Sequence, residues 1–388
     1  MHPLDGIKVL DLSKMAPGPF CTMMLGDMGA DVLKIEPPAQ LRIGPDGDAK
    51  LRAHDALNRN KRSIVLDLKK PEGKEVFYRL AQRADVVLTE SRPGIPEQLG
   101  IGYDNLKPTN PRLVYCAVTG FGQDGPYKDL PAHDINCISI AGALGMIGLP
   151  GGEPVIPANL LADFAGGGMQ AVIGILLALM AREKTGKGQF VDISMADGVL
   201  SLLTWPASGY FASGQVPERG HTHVTGGDPD YGVYRTKDGK YVSIAMGQPK
   251  FWQNFCHAVG REDLIPAQAQ HFKGQADVRG ELRKIFESRT RDEWVKFSKE
   301  VDTCLTPVLG LDEALSDPQV RHRRIVQETD VPCLGKVRQI GPSIKLSDTP
   351  GDIRSLAPTP GQHTNDVLQE LGYSKAQIAA LRKAGAVG

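Results

Sequence analysis

Residues 6–38 read GIKVLDLSKMAPGPFCTMMLGDMGADVLKIEPP. The run 6–12 has strand character, 20–28 has helical composition, and 30–36 (ADVLKIE) is a second strand bounded by Gly29 and Pro37. Two strands joined through a helix form a βαβ unit, whose strands pair in parallel. Apolar runs at 63–66, 84–88 and 112–118, with a helix-like segment at 70–83, extend the alternation. The pattern predicts an α/β fold with a Rossmann-like parallel sheet covered by helices.

The first turn of that unit excludes a familiar occupant. Glu36 lies where the ribose-binding acid of a nicotinamide site belongs, but the turn reads Ala16-Pro17-Gly18-Pro19, and proline has no N–H to offer a pyrophosphate. Neither a P-loop nor a G-x-S-x-G elbow occurs.

Further along, 163–180 predicts a helix and 189–194 (QFVDIS) a strand, after which 207–229 is loop-rich. Segments 231–235 and 241–245 flank Lys237-Asp238-Gly239-Lys240 and predict an antiparallel hairpin. Helical, charged stretches follow from 251 to 301, and a proline-containing tail at 339–360 leads to a last helix at 364–383. The expected organisation is a large domain of residues 1–206 and 325–388, a linker at 207–229, and a smaller α+β domain at 230–324.

The 388 residues carry 45 Lys and Arg against 45 Asp and Glu, which leaves no net field for a nucleic acid or an anionic membrane. The most apolar stretch, 169–181, is about half of the roughly 20 residues that a span requires, and predicts a buried core helix. Six cysteines without a C-x-x-C pair read as free thiols in a reducing cytosol. The opening residues lack a basic region followed by an apolar one, so the expected location is cytoplasmic.

Two segments carry candidate chemistry. Ala132-His133-Asp134-Ile135-Asn136-Cys137 sets a histidine just before a segment that Asp134 suits as a helix cap. Asp163-Phe164-Ala165-Gly166-Gly167-Gly168-Met169 sets a carboxylate, itself a possible cap, before three glycines. Each glycine weakens a helix by roughly 1 kcal/mol, so the run points to close backbone approach. A carboxylate beside a bare helix N-terminus is a place to stabilise an oxyanion. Arg59, Lys61 and Arg62 before the third strand, and Arg92 after the fourth, suit a phosphate-bearing cofactor if they are more than solvated surface charges. His221-Thr222-His223 with Asp228 and Asp230 imitates a metal site, but the loop setting and the lack of further histidines argue against one, and no metal is expected.

Taken with Asn58-Arg59-Asn60-Lys61-Arg62-Ser63, Glu90-Ser91-Arg92-Pro93-Gly94, Thr119-Gly120-Phe121-Gly122 and Thr185-Gly186-Lys187-Gly188-Gln189, the 6–38 stretch and Asp163 with its glycines resemble the class III CoA-transferase and α-methylacyl-CoA racemase superfamily. The resemblance covers essentially the whole chain. It implies a Rossmann-like large domain and a smaller α+β domain, with two subunits interlocked as a homodimer. His133-Asp134-Ile135-Asn136 and Asp302-Thr303-Cys304-Leu305-Thr306-Pro307-Val308 resemble the racemase branch.

By that resemblance His133 and Asp163 are the catalytic bases, and Gln248 stands where racemases commonly have a glutamate. Arg62, Glu90, Ser91, Arg92, Ala132, Asp134, Asn136 and Cys137 fall in the regions that would hold CoA. The implied partner is an acyl-CoA thioester, with no cofactor beyond CoA as part of the substrate. The implied reaction is proton transfer at the α-carbon of a 2-methyl-branched acyl-CoA through an enolate held by amides near Gly166. The alternatives are CoA transfer through an Asp163 aspartyl-CoA intermediate, and a non-catalytic acyl-CoA binding protein. Pro37 and Cys137 replace an arginine and a tyrosine of relatives, departures that bear on the substrate.

Overall fold

In the computed structural model, which describes residues 1–38, 52–269, 272, 277–331 and 334–388, the opening segment folds as β1 (Lys8–Asp11), a helix (Pro17–Asp27) and β2 (Asp31–Glu36). The helix starts earlier than composition alone predicts because Pro17 occupies its first turn, where a missing N–H costs nothing. Four more strands follow: β3 (Lys61–Val65), β4 (Val86–Thr89), β5 (Val114–Thr119) and β6 (Phe190–Ser194). All pair in parallel, in the order β3-β2-β1-β4-β5-β6. The order reverses between β1 and β4, and ligands of such sheets bind outside the carboxyl ends of the strands at that point.

The chain divides into two compact units. The first holds Met1–Ala141, Ala158–Leu202 and Gln319–Gly388, and the second Gly142–Pro157 and Leu203–Pro318. Within the first, Leu10, Leu33, Ile64, Val87 and Tyr115 from the strands meet Val76 and Phe77 of the Pro71–Ala81 helix in one core. Ion pairs accompany them, two with both side chains buried. Lys61 Nζ lies 3.0 Å from Asp11 Oδ2 with both side chains fully enclosed, Arg59 grips Asp27 through two nitrogens at 2.9 and 2.7 Å, and Arg182 Nη1 meets Asp85 at 2.9 Å.

The second unit is built on the antiparallel strands β7 (Tyr231–Arg235), β8 (Tyr241–Ala245) and β9 (Leu305–Pro307). Helices Pro249–Ala258, Val278–Glu287 and Arg291–Glu300 cover them with Trp252, Phe255, Phe286, Trp294 and Phe297.

Four expectations change. The segment 207–229 is not loop throughout, because a helix runs over Thr204–Ser213. A hairpin, β10 (Val326–Val331) with β11 (Gly335–Ile340), precedes the tail. The last helix is two, Thr364–Glu370 and Lys375–Lys383, separated at Gly372, whose φ of +88° ends the first.

The fourth concerns the apolar helix, which spans 26 residues, Leu160–Thr185, and is long and apolar enough to cross a membrane by those measures alone. It is not wholly buried. Ala171, Val172, Ile175, Ala178 and Leu179 face inward, while Met169, Ile173, Leu177 and Met180 line the opposite, exposed face. Its Arg182 is enclosed within the first unit by the Asp85 pair.

Candidate active site

His133 is the N-cap of the helix Asp134–Ile140, in extended backbone, and its side chain is exposed. Asn136 serves it, since Asn136 Oδ1 accepts the His133 amide at 3.0 Å. Asp134 does not cap its own helix. Its Oδ2 accepts the backbone amides of Ala162 and Asp163 at 2.7 and 2.8 Å, so it caps a later helix, Leu160–Thr185. That single carboxylate locks the segment bearing His133 to the segment bearing Asp163. Its other oxygen, Oδ1, is buried without a hydrogen-bond partner.

Asp163 is half-buried, and Asn159 Nδ2 donates to its Oδ2 at 3.0 Å. Burial raises its carboxyl above the ordinary value; the Asn159 bond pulls it down, the Asp134 charge pushes it up, and His133 lowers it. His133 therefore lies within electrostatic reach of Asp163, and one catalytic acid/base pair can be drawn from the two. Burial also lifts the Cys137 thiol to about 12, with Asp134 and Asp163 adding to the shift, so it is no nucleophile. Cys137 Sγ rests 3.5 Å from the Gly120 carbonyl, and Ala132 packs on Gly120 so closely that a β-carbon there would come within 2.7 Å of the Ala132 Cβ.

The glycine run marks close backbone approach, as the sequence predicts, but it does not lie at a helix start. The helix begins at Leu160, and its first ten residues, Leu160–Met169, form a π-helix, so Gly166, Gly167 and Gly168 lie inside it and not at a bare terminus. A β-carbon on Gly166 would come within 2.8 Å of the Met195 carbonyl, one on Gly168 within 2.9 Å of the Pro17 carbonyl, and one on Gly198 would collide with the Gly166 carbonyl. The close approach is helix against helix. Amides near Gly166 are thus not free to hold an enolate, and those of Ala162 and Asp163 are taken by Asp134.

The basic set before β3 is likewise internal. Arg59 and Lys61 are committed to Asp27 and Asp11. Arg62, expected at CoA, binds Asp31 through two bonds at 3.0 and 2.8 Å and Glu370 at 2.9 Å, at the amino end of the sheet. Glu90 uses both carboxylate oxygens on the amides of Lys14, Met15 and Gly18, at 2.7, 2.8 and 2.6 Å. Its position after β4 lets it hold the turn before the first helix. Arg92 is exposed, and among the described residues it forms no ion pair.

Ser91 instead lines a crevice of about 300 Å³ at the carboxyl ends of β1 to β4, together with Leu12, Lys14, Glu36, Pro37 and Lys69. Lys14 lies within the 6–38 stretch and Lys69 outside every quoted segment, and only the strand order brings the two together. A second cavity, about 510 Å³ and nearly all apolar, is lined by Phe20, Met23, Met24, Met28, Phe164 and Met169. Phe20 and Phe164 meet edge to face at 4.8 Å there. Gln248 belongs to the second unit, where it is the exposed N-cap of Pro249–Ala258.

The profile of CoA-transferase family III matches residues 4–364. Human alpha-methylacyl-CoA racemase is 37% identical over 97% of this chain and 96% of its own length. The succinyl-CoA–L-malate CoA-transferase beta subunit of Chloroflexus aurantiacus is also 37% identical, over 98% and 97%. Formyl-CoA:oxalate CoA-transferase of Escherichia coli is 35% identical over 99% of both chains. A solved CAIB/BAIF family protein from Brucella suis superposes with a TM-score of 0.80 at 30% identity, over 95% of this chain and 99% of that one. The family match, the identity along nearly the whole length and the superposed fold agree: this chain belongs to CoA-transferase family III.

Proposed function

We propose that the protein is an acyl-CoA racemase that moves the α-proton of a 2-methyl-branched acyl-CoA through an enolate. The observation that carries the reading is the tie through Asp134, which fixes a histidine and a carboxylate on adjoining helix starts. Inversion needs a base on one face of the α-carbon and an acid on the other. One of His133 and Asp163 removes the proton and the other returns it. The raised Asp163 pKa supports the acid role, since a carboxyl nearer neutrality gives up and takes back a proton more readily.

For the enolate oxygen the reading turns to the amides of Asp134 and Ile135, first-turn donors that no preceding helical carbonyl reaches. The crevice beside Ser91 suits the CoA nucleotide, with Lys14 and Lys69 as counter-charges to phosphate. The apolar cavity lined in part by Phe164, the residue after Asp163, suits a branched hydrocarbon. An interlocked homodimer is supported by the exposed stripe Met169, Ile173, Leu177 and Met180, an apolar face that a lone chain leaves in water.

The second reading, CoA transfer through an aspartyl thioester on Asp163, is favoured by transferase relatives as similar as the racemases. Incubation with 2-methyl-branched acyl-CoAs in deuterated water separates the two. Racemisation puts deuterium on the α-carbon with no acid acceptor present, and His133→Ala stops it. Incorporation at the wild-type rate in His133→Ala, or CoA exchange between free acids with a hydroxylamine-sensitive adduct on Asp163, overturns the racemase reading.

A further inference from the structure

The second unit holds another constellation, which the reaction above does not use. The sequence argues against a metal there, because the residues sit in a loop and no further histidines follow. The fold supplies what spacing lacks. A single 3-10 turn, His223–Thr225, is closed by Thr222, whose hydroxyl lies 2.8 Å from that of Thr225. The chain then doubles back, and His223, Asp228 and Asp230 bring one ligand atom each to within 4.8 Å of one another. Arg279 Nη2 pins the bend by donating to the Gly226 and Gly227 carbonyls at 2.8 and 2.9 Å.

Asp230 is the informative member. It is only 2% exposed, and its Oδ1 is buried without a hydrogen-bond partner. No cation pairs with it among the described residues. Its Oδ2 accepts Gln268 Nε2 at 2.7 Å, and the same amide donates to the Met246 carbonyl at 2.8 Å. A carboxylate with one oxygen oriented by a neighbouring amide and the other left bare is arranged as metal-binding carboxylates are. A buried oxygen with no donor otherwise carries an uncompensated desolvation cost. His223 is oriented too, with Nδ1 at 2.8 Å from Asp228 Oδ2.

We propose that His223, Asp228 and Asp230 form a site for a divalent transition cation of the zinc class. An imidazole with two carboxylates suits such ions, whereas calcium takes oxygen ligands alone. The site would fasten the 223–230 loop to the start of β7. It also touches the backbone ahead of Gln248, since a β-carbon on Gly247 would come within 3.2 Å of His223 Nε2. The inference stands apart from the racemase reading and needs no turnover to test.

The test uses full-length protein, stripped with a chelator, dialysed against Zn2+ and analysed for metal. One Zn2+ per chain is expected, with retention unchanged in Cys304→Ser, which removes the one exposed thiol among the described residues. Asp230→Asn and His223→Ala should each weaken binding by at least about tenfold. If Asp230→Asn does not fold, His223→Ala and Asp228→Asn, both outside the core, carry the test. Failure of the wild type to retain Zn2+, loss of retention in Cys304→Ser, or equal retention in His223→Ala and Asp228→Asn overturns the proposal.

Discussion

The two compact units bury different things. The first encloses ionised side chains among its aliphatic strands: Asp11 with Lys61, and Asp27 with Arg59 and Asn60. The second encloses rings, with Phe255, Phe286, Trp294 and Phe297 in mutual contact at centroid distances of 5.0 to 6.3 Å. Apolar packing is non-directional and only excludes water. Charged hydrogen bonds are directional, and they recur where strands end and loops must be aimed. Asp11 closes β1, takes Lys61 from β3 and Thr22 from the first helix at 2.7 Å, and also receives the Ser13 hydroxyl. Although burial alone would raise its pKa, Lys61 and Lys34 hold it well below the usual carboxylate range. The unit that carries His133 and Asp163 thus spends its buried polarity on fixing geometry.

The largest test of that contrast is Lys61→Met, which strands a buried aspartate and should cost about 3–5 kcal/mol in urea unfolding. Adding Asp11→Asn should recover much of the loss, because the stranded charge goes with it. A double variant no more stable than the single one would mean that Lys61 acts through packing, and the contrast would fail. In the second unit Trp294→Phe should cost about 1–3 kcal/mol. It shrinks the ring cluster and leaves the Phe286 carbonyl without the Trp294 Nε1 donor at 2.9 Å. No charge-removing partner substitution should rescue it.

The smallest effect is in the pH dependence of one ion pair of the second unit, Arg291 with Glu313. Arg291 binds Glu313 through two bonds at 2.8 and 2.6 Å and, helped by the Gly310 amide, holds its carboxyl at about 2 against an ordinary 4.5. The folded pKa is the lower one, so the stabilisation is complete above pH 4.5 and fades as pH falls through 2. Because Glu313 is open to solvent, the contribution is screened. Unfolding midpoints of wild type and Glu313→Gln should differ at pH 6 and converge toward pH 2; a constant difference would assign Glu313 a packing role.

The sequence is most legible where structure is set locally. The hairpin strands at 231–235 and 241–245 emerge with the bounds that their turn chemistry predicts, because Gly239, at φ +76°, needs only its neighbours to explain it. The βαβ start and the strand at 190–194 follow for the same reason. The strands Val326–Val331 and Gly335–Ile340 are hidden because a polar residue, Gln339, shares the buried face with Val337 while the apolar Ile340 is exposed. The site was half legible. His133 and Asp163 announce themselves by type and setting, but the role of Asp134 depends on amides 28 and 29 residues away. The glycine run does announce close backbone approach, but what approaches, Pro17 and Met195, no local pattern reveals. Arg62 looked like a phosphate ligand until Asp31 and Glu370 came into reach.

The wide turns of Leu160–Met169 make the number of residues in that stretch as consequential as their identity. A π-helix holds an extra residue per turn relative to the α-helix that follows it from Gln170. Inserting a further residue between Asp163 and Gly166, beyond what the wide turns already absorb, would turn everything before it by about 100° against everything after it. The glycine crossing would stay with Gly198 while the carboxylate swung out of line with Asp134. Variation here is therefore open to side chains on the exposed face, such as Leu160, and closed to changes in chain length.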